Sequence, residues 1–136
     1  MSKNDLHEKL TEKIIGCFYD VYNQLNYGFL EKVYENALKL ELKTAGFKVE
    51  SQKRIEVLYK GCVVGEYFAD LVVNDLVIIE IKAAENLCDE HALQLLNYLR
   101  ATNMEVGLLL NFGKKPQMAR RVFTNSQKQG KLDQHE

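Results

Sequence analysis

Tryptophan is absent from this chain, proline occurs once, and there are only three cysteines in 136 residues. Cys17, Cys62 and Cys88 are odd in number, far apart and without Cys-x-x-Cys spacing, which excludes a disulfide framework and a thiolate zinc site. They read as small buried hydrophobes in a reducing cytoplasm. Neither sign of charge is in excess: 18 basic and 19 acidic residues leave a formal net charge of −1. No overall field therefore draws in a polyanion, and any nucleic-acid surface must be a local patch. No apolar run approaches the roughly 18 residues that span a bilayer, and the polar start of the chain is no export signal, so no membrane partner is expected. Also missing are a glycine-rich phosphate loop, a nucleophilic Ser/His pair and a His-x-x-x-His metal pattern. Phosphoryl chemistry through a bound metal is the class left open.

The composition, 46% hydrophobic and 27% charged, is that of a single globular domain. It is expected over residues 1–125, with a polar tail at 126–136. Leu6, Leu10, Ile14, Cys17, Val21 and Leu25 recur at three- and four-residue spacing and predict an amphipathic first helix. Asn26-Tyr27-Gly28 breaks it. A second helix is expected over 30–45, with Leu30, Val33, Ala37 and Leu40 inward and Gly46 just past its end. Alternation then becomes strand-like over 48–59 and 63–73, with Lys60-Gly61 as the turn. Residues 77–82 are apolar on both sides apart from Glu80 and Lys82, as in a central strand covered on two faces. Asp89 is placed to cap a third helix over 89–101, buried through Ala92, Leu95, Leu96 and Leu99. Residues 106–112 form a fourth strand, and Pro116 opens a short basic helix carrying Met118, Ala119, Val122 and Phe123. A strand, helix, strand succession near the end requires a parallel crossover. The fold class is thus α/β, with a central mixed four-stranded sheet flanked by helices.

Glu80 and Lys82 share one face of the most apolar strand, where burying two charges is costly without partners. Taken alone, they are better accounted for by a structural ion pair. Asp70 changes the balance, because the hairpin returns it toward Glu80 and three charges then converge in a hydrophobic sheet. Two close carboxylates repel, and a hard divalent cation makes both ionised forms favourable; magnesium suits a site of one or two carboxylates. Lys82 is then placed to handle water and the charge on the phosphate. A two-residue turn at Asn74-Asp75 would pair Asp70 with Ile79 and turn it away from Glu80. A three-residue turn or a bulge is therefore expected, pairing Asp70 with Glu80.

Asp70 followed by Glu80-Ile81-Lys82 on the next strand resembles the PD-(D/E)XK nuclease superfamily and its restriction-endonuclease-like core. Gly28-Phe29-Leu30-Glu31-Lys32-Val33-Tyr34 resembles the signature of the bacterial GxxExxY family. Similarity continues through Tyr59-Lys60-Gly61, Gln94-Leu95-Leu96-Asn97-Tyr98 and Leu110-Asn111-Phe112-Gly113. Ala69 stands where the superfamily motif has its proline.

The resemblance implies a metal-dependent nuclease acting on DNA in repair, recombination or defence. Asp70, Glu80, the Ile81 carbonyl and Glu31 would hold magnesium or manganese, and Lys82 would be catalytic. Gln94 and Tyr98 resemble the Gln-x-x-x-Tyr motif of recombination exonucleases. One turn apart on a helix, they can hold a phosphate or position the lysine, or form a plain surface pair. His91 stands one turn before Gln94, at the border of such a site. Lys114, Lys115, Arg120 and Arg121 form a basic cluster for DNA phosphates, or a solvated helix end. A homodimer or a larger protein partner would supply what so short a chain lacks. The competing reading is an inactive nuclease-fold module that binds nucleic acid or a protein partner.

Overall fold

A computed structural model of the protein describes residues 6–128. Within them run helices α1 (Glu8–Leu25) and α2 (Glu31–Thr44), then strands β1 (Val49–Tyr59), β2 (Cys62–Val73) and β3 (Val77–Lys82). Helix α3 (Asp89–Arg100) and strands β4 (Val106–Phe112) and β5 (Pro116–Val122) complete the order. The sheet is ordered β1-β2-β3-β4-β5, with β3 and β4 parallel across the α3 crossover and every other neighbouring pair antiparallel.

The sheet has five strands, not four, because the expected basic helix after Pro116 is β5. A turn of Gly113, Lys114 and Lys115 returns the chain beside β4, pairing Phe112 with Pro116 and Val106 with Val122. Met118 and Val122 pack on one side of the sheet, Ala119 and Phe123 on the other. Apolar residues one and four apart satisfy a strand buried on two faces as well as a helix, and the open edge of β4 decides between them. Proline is tolerated because it opens an edge strand.

Each sheet face carries its own core. Helices α1 and α2 cover one through Ile14, Phe18, Tyr34, Leu38 and Leu42, against Leu71, Val73, Val77, Ile79 and Ile81. Helix α3 covers the other through Leu95, Tyr98 and Leu99, against Val72, Ile78 and Leu109. Odd residues of β3 thus face α1 and α2, and even ones, Glu80 and Lys82 among them, lie on the α3 side. Leu30, Val33 and Leu40 are exposed, contrary to the stripe expected for α2. The true inward row is Tyr34, Leu38 and Leu42, fixed by Tyr34 stacking on Phe112 with ring centroids 4.3 Å apart.

Strands β1 and β2 outrun β3: their pairing continues out to Tyr59 and Cys62, whereas β3 pairs only with Leu71–Val73 of β2. At Gln52 the backbone takes φ 52°. Val49 before it belongs to the α1/α2 core, and Ile55 beyond it to the α3 core. The ladder therefore rolls over between them, and the projecting hairpin leans toward α3. Of the expected tail, residues 126–128 belong to a helical turn over 125–128, with Lys128 Nζ donating to the carbonyls of Thr102 and Met104. Residues 129–136 lie outside those described.

The strand ends beyond Lys82 are locked. Asn111, fully buried, accepts from the Ala84 N–H at 2.8 Å and donates to its carbonyl at 2.9 Å. A Cβ at Gly113 would stand 2.2 Å from that same Ala84 oxygen. Gly113→Ala is therefore expected to cost about 1–3 kcal/mol in chemical denaturation, because backbone rather than a flexible side chain must yield.

Candidate active site

Val73 pairs with Val77, so the turn between β2 and β3 has three residues, Asn74, Asp75 and Leu76. Asn74 and Asp75 hold φ of 54° and 56°, conformations that Asn and Asp tolerate. This is the odd-length turn expected above, and its register, Leu71 opposite Ile79, sets Asp70 across from Glu80. There the two strands part, and side chains take over from the ladder. The Asp70 N–H donates to Glu80 Oε2 at 2.8 Å, and the Ile81 N–H donates to Asp70 Oδ2 at 2.8 Å. Each carboxylate thus satisfies a backbone donor on the opposite strand.

Glu80 is 4% exposed. Burial and the neighbouring Asp70 charge push its carboxyl up to about 8, against the favourable Asp70 N–H and Lys82 charge. Burial raises the Asp70 carboxyl as well, with the Ile81 N–H working in the opposite direction. Glu80 Oε1 has no hydrogen-bond partner, and no buried side-chain oxygen among the described residues lacks one, so Oε1 is open to solvent. Lys82 is half-buried and close enough for its charge to favour both ionised acids. No direct ion pair joins it to either among the described residues.

Two helices bring further groups to this spot. In the α1–α2 turn Gly28 takes φ 114°, while Tyr34 donates to the Asn26 carbonyl at 2.6 Å and accepts from the Phe29 N–H at 3.2 Å. That staple sets the start of α2 over the end of β3, where Glu31 accepts from the Ala83 N–H at 3.2 Å. Glu35, one turn later and 4% exposed, is the α2 acid whose charge acts on both Asp70 and Glu80. Gln52 donates to Glu35 Oε1 at 2.8 Å and to Asp70 Oδ1 at 3.4 Å, bridging the two acids. From α3, Gln94 donates to the Tyr98 hydroxyl at 2.6 Å. Burial raises the Tyr98 hydroxyl above its usual range, and the Glu80 and Asp70 charges add to this.

The structure thus gathers Asp70, Glu80, Ile81, Lys82, Gln94 and Tyr98, with Glu31 at the rim. His91 instead accepts from the Cys88 N–H at 3.3 Å, and Cys88 rather than Asp89 precedes the helix. Glu35, Gln52 and Asn111 were missed; a correctly phased α2 stripe would have placed Glu35 beside Tyr34 and Leu38. The basic residues do not form one patch. Lys114 and Lys115 are exposed in the β4–β5 turn. Arg120 and Arg121 are neighbours on a strand and so point to opposite faces. Arg120 donates to the Leu6 carbonyl, and Arg121 to the Arg120 carbonyl.

Among the described residues no three His, Cys, Asp or Glu side chains form a closed metal cage. The unpartnered Glu80 Oε1, beside an Asp70 Oδ1 that carries only the long 3.4 Å bond from Gln52, instead fits a hard cation that keeps part of its water shell.

The profile of the PD-(D/E)XK nuclease superfamily matches residues 8–122. No curated protein matches the sequence. A solved structure described as "Crystal structure of SSO0001" is similar at 19% identity and TM-score 0.49, over 75% of this chain and 55% of that one. The chain thus spans little more than half the length of that protein. No helix among the described residues is long and apolar enough to cross a membrane.

Between pH 4.5 and about 8 the folded state keeps a proton on Glu80 that the unfolded chain gives up. Glu80 stabilisation is therefore fully present below pH 4.5 and lost as pH rises toward 8, the reverse of an ordinary paired carboxylate. The unfolding free energy of metal-free protein should fall across that window relative to Glu80→Gln, by at most about 1.4 kcal/mol per pH unit, and the melting temperature should fall with it. Parallel pH profiles for the two proteins would contradict this.

Proposed function

Because the chain belongs to the PD-(D/E)XK nuclease superfamily, we propose that it is a metal-dependent nuclease hydrolysing DNA phosphodiester bonds, of the GxxExxY branch. The observation that carries the proposal is the Asp70–Glu80 clasp, in which Asp70 N–H and Glu80 Oε2 lie 2.8 Å apart beside Lys82. Asp70 and Glu80, with the Ile81 carbonyl between Glu80 and Lys82, are the residues to hold magnesium or manganese, which would supply Lewis acidity at the phosphate.

The remaining steps fall to the chain itself. Glu80 would hold the cation as a carboxylate, its own proton displaced to solvent, while Oε2 keeps its bond from the Asp70 N–H. Lys82 extends from the same face of β3 as Glu80 and is placed to orient the attacking water and offset charge on the phosphate. Gln52 holds Asp70 and Glu35 in fixed relation, so the charge of Glu35 bears on the site without closing it. Glu31 flanks the pair by holding Ala83, the residue after Lys82. The Gln94–Tyr98 pair bounds the site on the α3 side. Lys114 shares a cavity of about 310 Å³ with Tyr27, Phe29 and Ala83. With Lys115 it is the proposed phosphate contact, a role Arg120 and Arg121 fill only from separate faces. Three free cysteines suit a reducing cytoplasmic setting.

Purified protein should cleave single-stranded, duplex or branched DNA when manganese or magnesium is added, and not in chelator. Lys82→Ala and Asp70→Asn should each lower the rate at least about 100-fold with unchanged melting curves. Equal product from wild type and Lys82→Ala would contradict the assignment.

A further inference from the structure

The hairpin of β1 and β2 leans toward α3, and between them lie two adjoining hollows. The inner one, about 310 Å³, is lined by Leu93, Gln94 and Tyr98. The outer one, about 550 Å³, is lined by Glu56, Leu58 and Arg100. Val57, Tyr67, Asn97 and Ala101 line both, so the two form one groove. Its inner end is the Gln94–Tyr98 pair, whose tyrosine feels the charges of Glu80 and Asp70. Tyr67 stands three residues before Asp70 on β2, and Glu80 lies on the face of β3 that packs against Tyr98, so the groove and the candidate active site are neighbours on the α3 side of the sheet.

Its chemistry does not suit a phosphate chain. No lysine lines it, and Arg100, its one cation, lies 5.8 Å from the centre of the Phe123 ring. Glu90 borders the inner hollow with a negative charge that repels phosphate, and Glu56, at the outer one, is already paired with Arg54 at 2.9 Å. What the walls offer is a flat aromatic face and neutral amides. Tyr67 is 48% exposed although its ring centre lies 5.5 Å from that of Tyr98, and Asn97 is exposed between the two hollows.

We infer that the groove between the β1–β2 hairpin and α3 is a subsite for one unpaired nucleobase, stacked on Tyr67 and hydrogen-bonded at its edge by Asn97, next to the scissile phosphate. This deepens the nuclease reading and rests on it. Bases in a duplex are sealed inside the stack, so such a subsite is reached only by single strands, frayed ends or extruded nucleotides. Single-stranded nucleic acid is then the substrate class.

The test uses the full chain carrying Lys82→Ala with magnesium, so that the strand stays intact, and a single-stranded oligonucleotide holding one 2-aminopurine. Binding should quench the 2-aminopurine. Adding Tyr67→Ala should remove the quench and weaken binding roughly 5- to 150-fold, the range for loss of one base–aromatic stack. Tyr67→Phe should keep both, and matched duplex should give no quench. Unchanged affinity and quench with Tyr67→Ala, or equal quench with duplex, would overturn the inference. Because turnover is not read, failure of all cleavage assays would remove the nuclease reading while the quench and its Tyr67 dependence stood.

Discussion

Two carboxylates meet where β2 and β3 part, and each is fastened to the backbone of the other strand. Asp70 N–H to Glu80 Oε2 and Ile81 N–H to Asp70 Oδ2, both 2.8 Å, replace the ladder bonds that would otherwise continue the sheet. Backbone donors inside a sheet must be satisfied, so the acids cannot swing away without orphaning those groups. Structure thereby forces two like charges together in a poorly solvated place. One of them, Glu80, answers by holding its proton up to about 8. Such a pair of close, poorly solvated acids is the arrangement on which the proposed cation site rests.

The rest of the fold can be understood as holding that point still. The parallel β3–β4 pair is covered on both faces, by α1 and α2 on one side and α3 on the other. Asn111 and Gly113 fix the chain just past Lys82, and Tyr34 staples the turn that brings Glu31 and Glu35 within range. Residues that look like a catalytic signature thus divide their labour. Gly28 and Tyr34 shape the backbone, whereas the glutamates one turn apart on α2 face the charged cluster.

Much of this was legible in the sequence because buried charge is conspicuous. Glu80 and Lys82 stand out of an apolar strand, and the demand that Asp70 share their face dictated an odd-length turn. Strand β3 and strand β4 were bounded correctly, since runs covered on two faces leave little ambiguity. Where two periodicities fit the same residues, local pattern failed. Met118, Ala119, Val122 and Phe123 satisfy helix and strand alike, and only the unpaired edge of β4 selects β5. The α2 stripe slipped because Leu30, Val33 and Leu40 are as apolar as the row that is buried, and the choice is made by Tyr34 meeting Phe112 from a distant strand. That slip hid Glu35. Gln52 carried no local signal, since its role depends on a left-handed backbone at one point of a long strand.

Glu80 is proposed to hold a proton that a bound cation would displace. Calorimetric titration of the protein with magnesium or manganese at neutral pH, repeated in buffers of different ionisation enthalpy, counts that proton directly. The account predicts close to one proton released per cation bound, and none from Glu80→Gln. Binding of a cation with no proton release by the wild-type protein would contradict it.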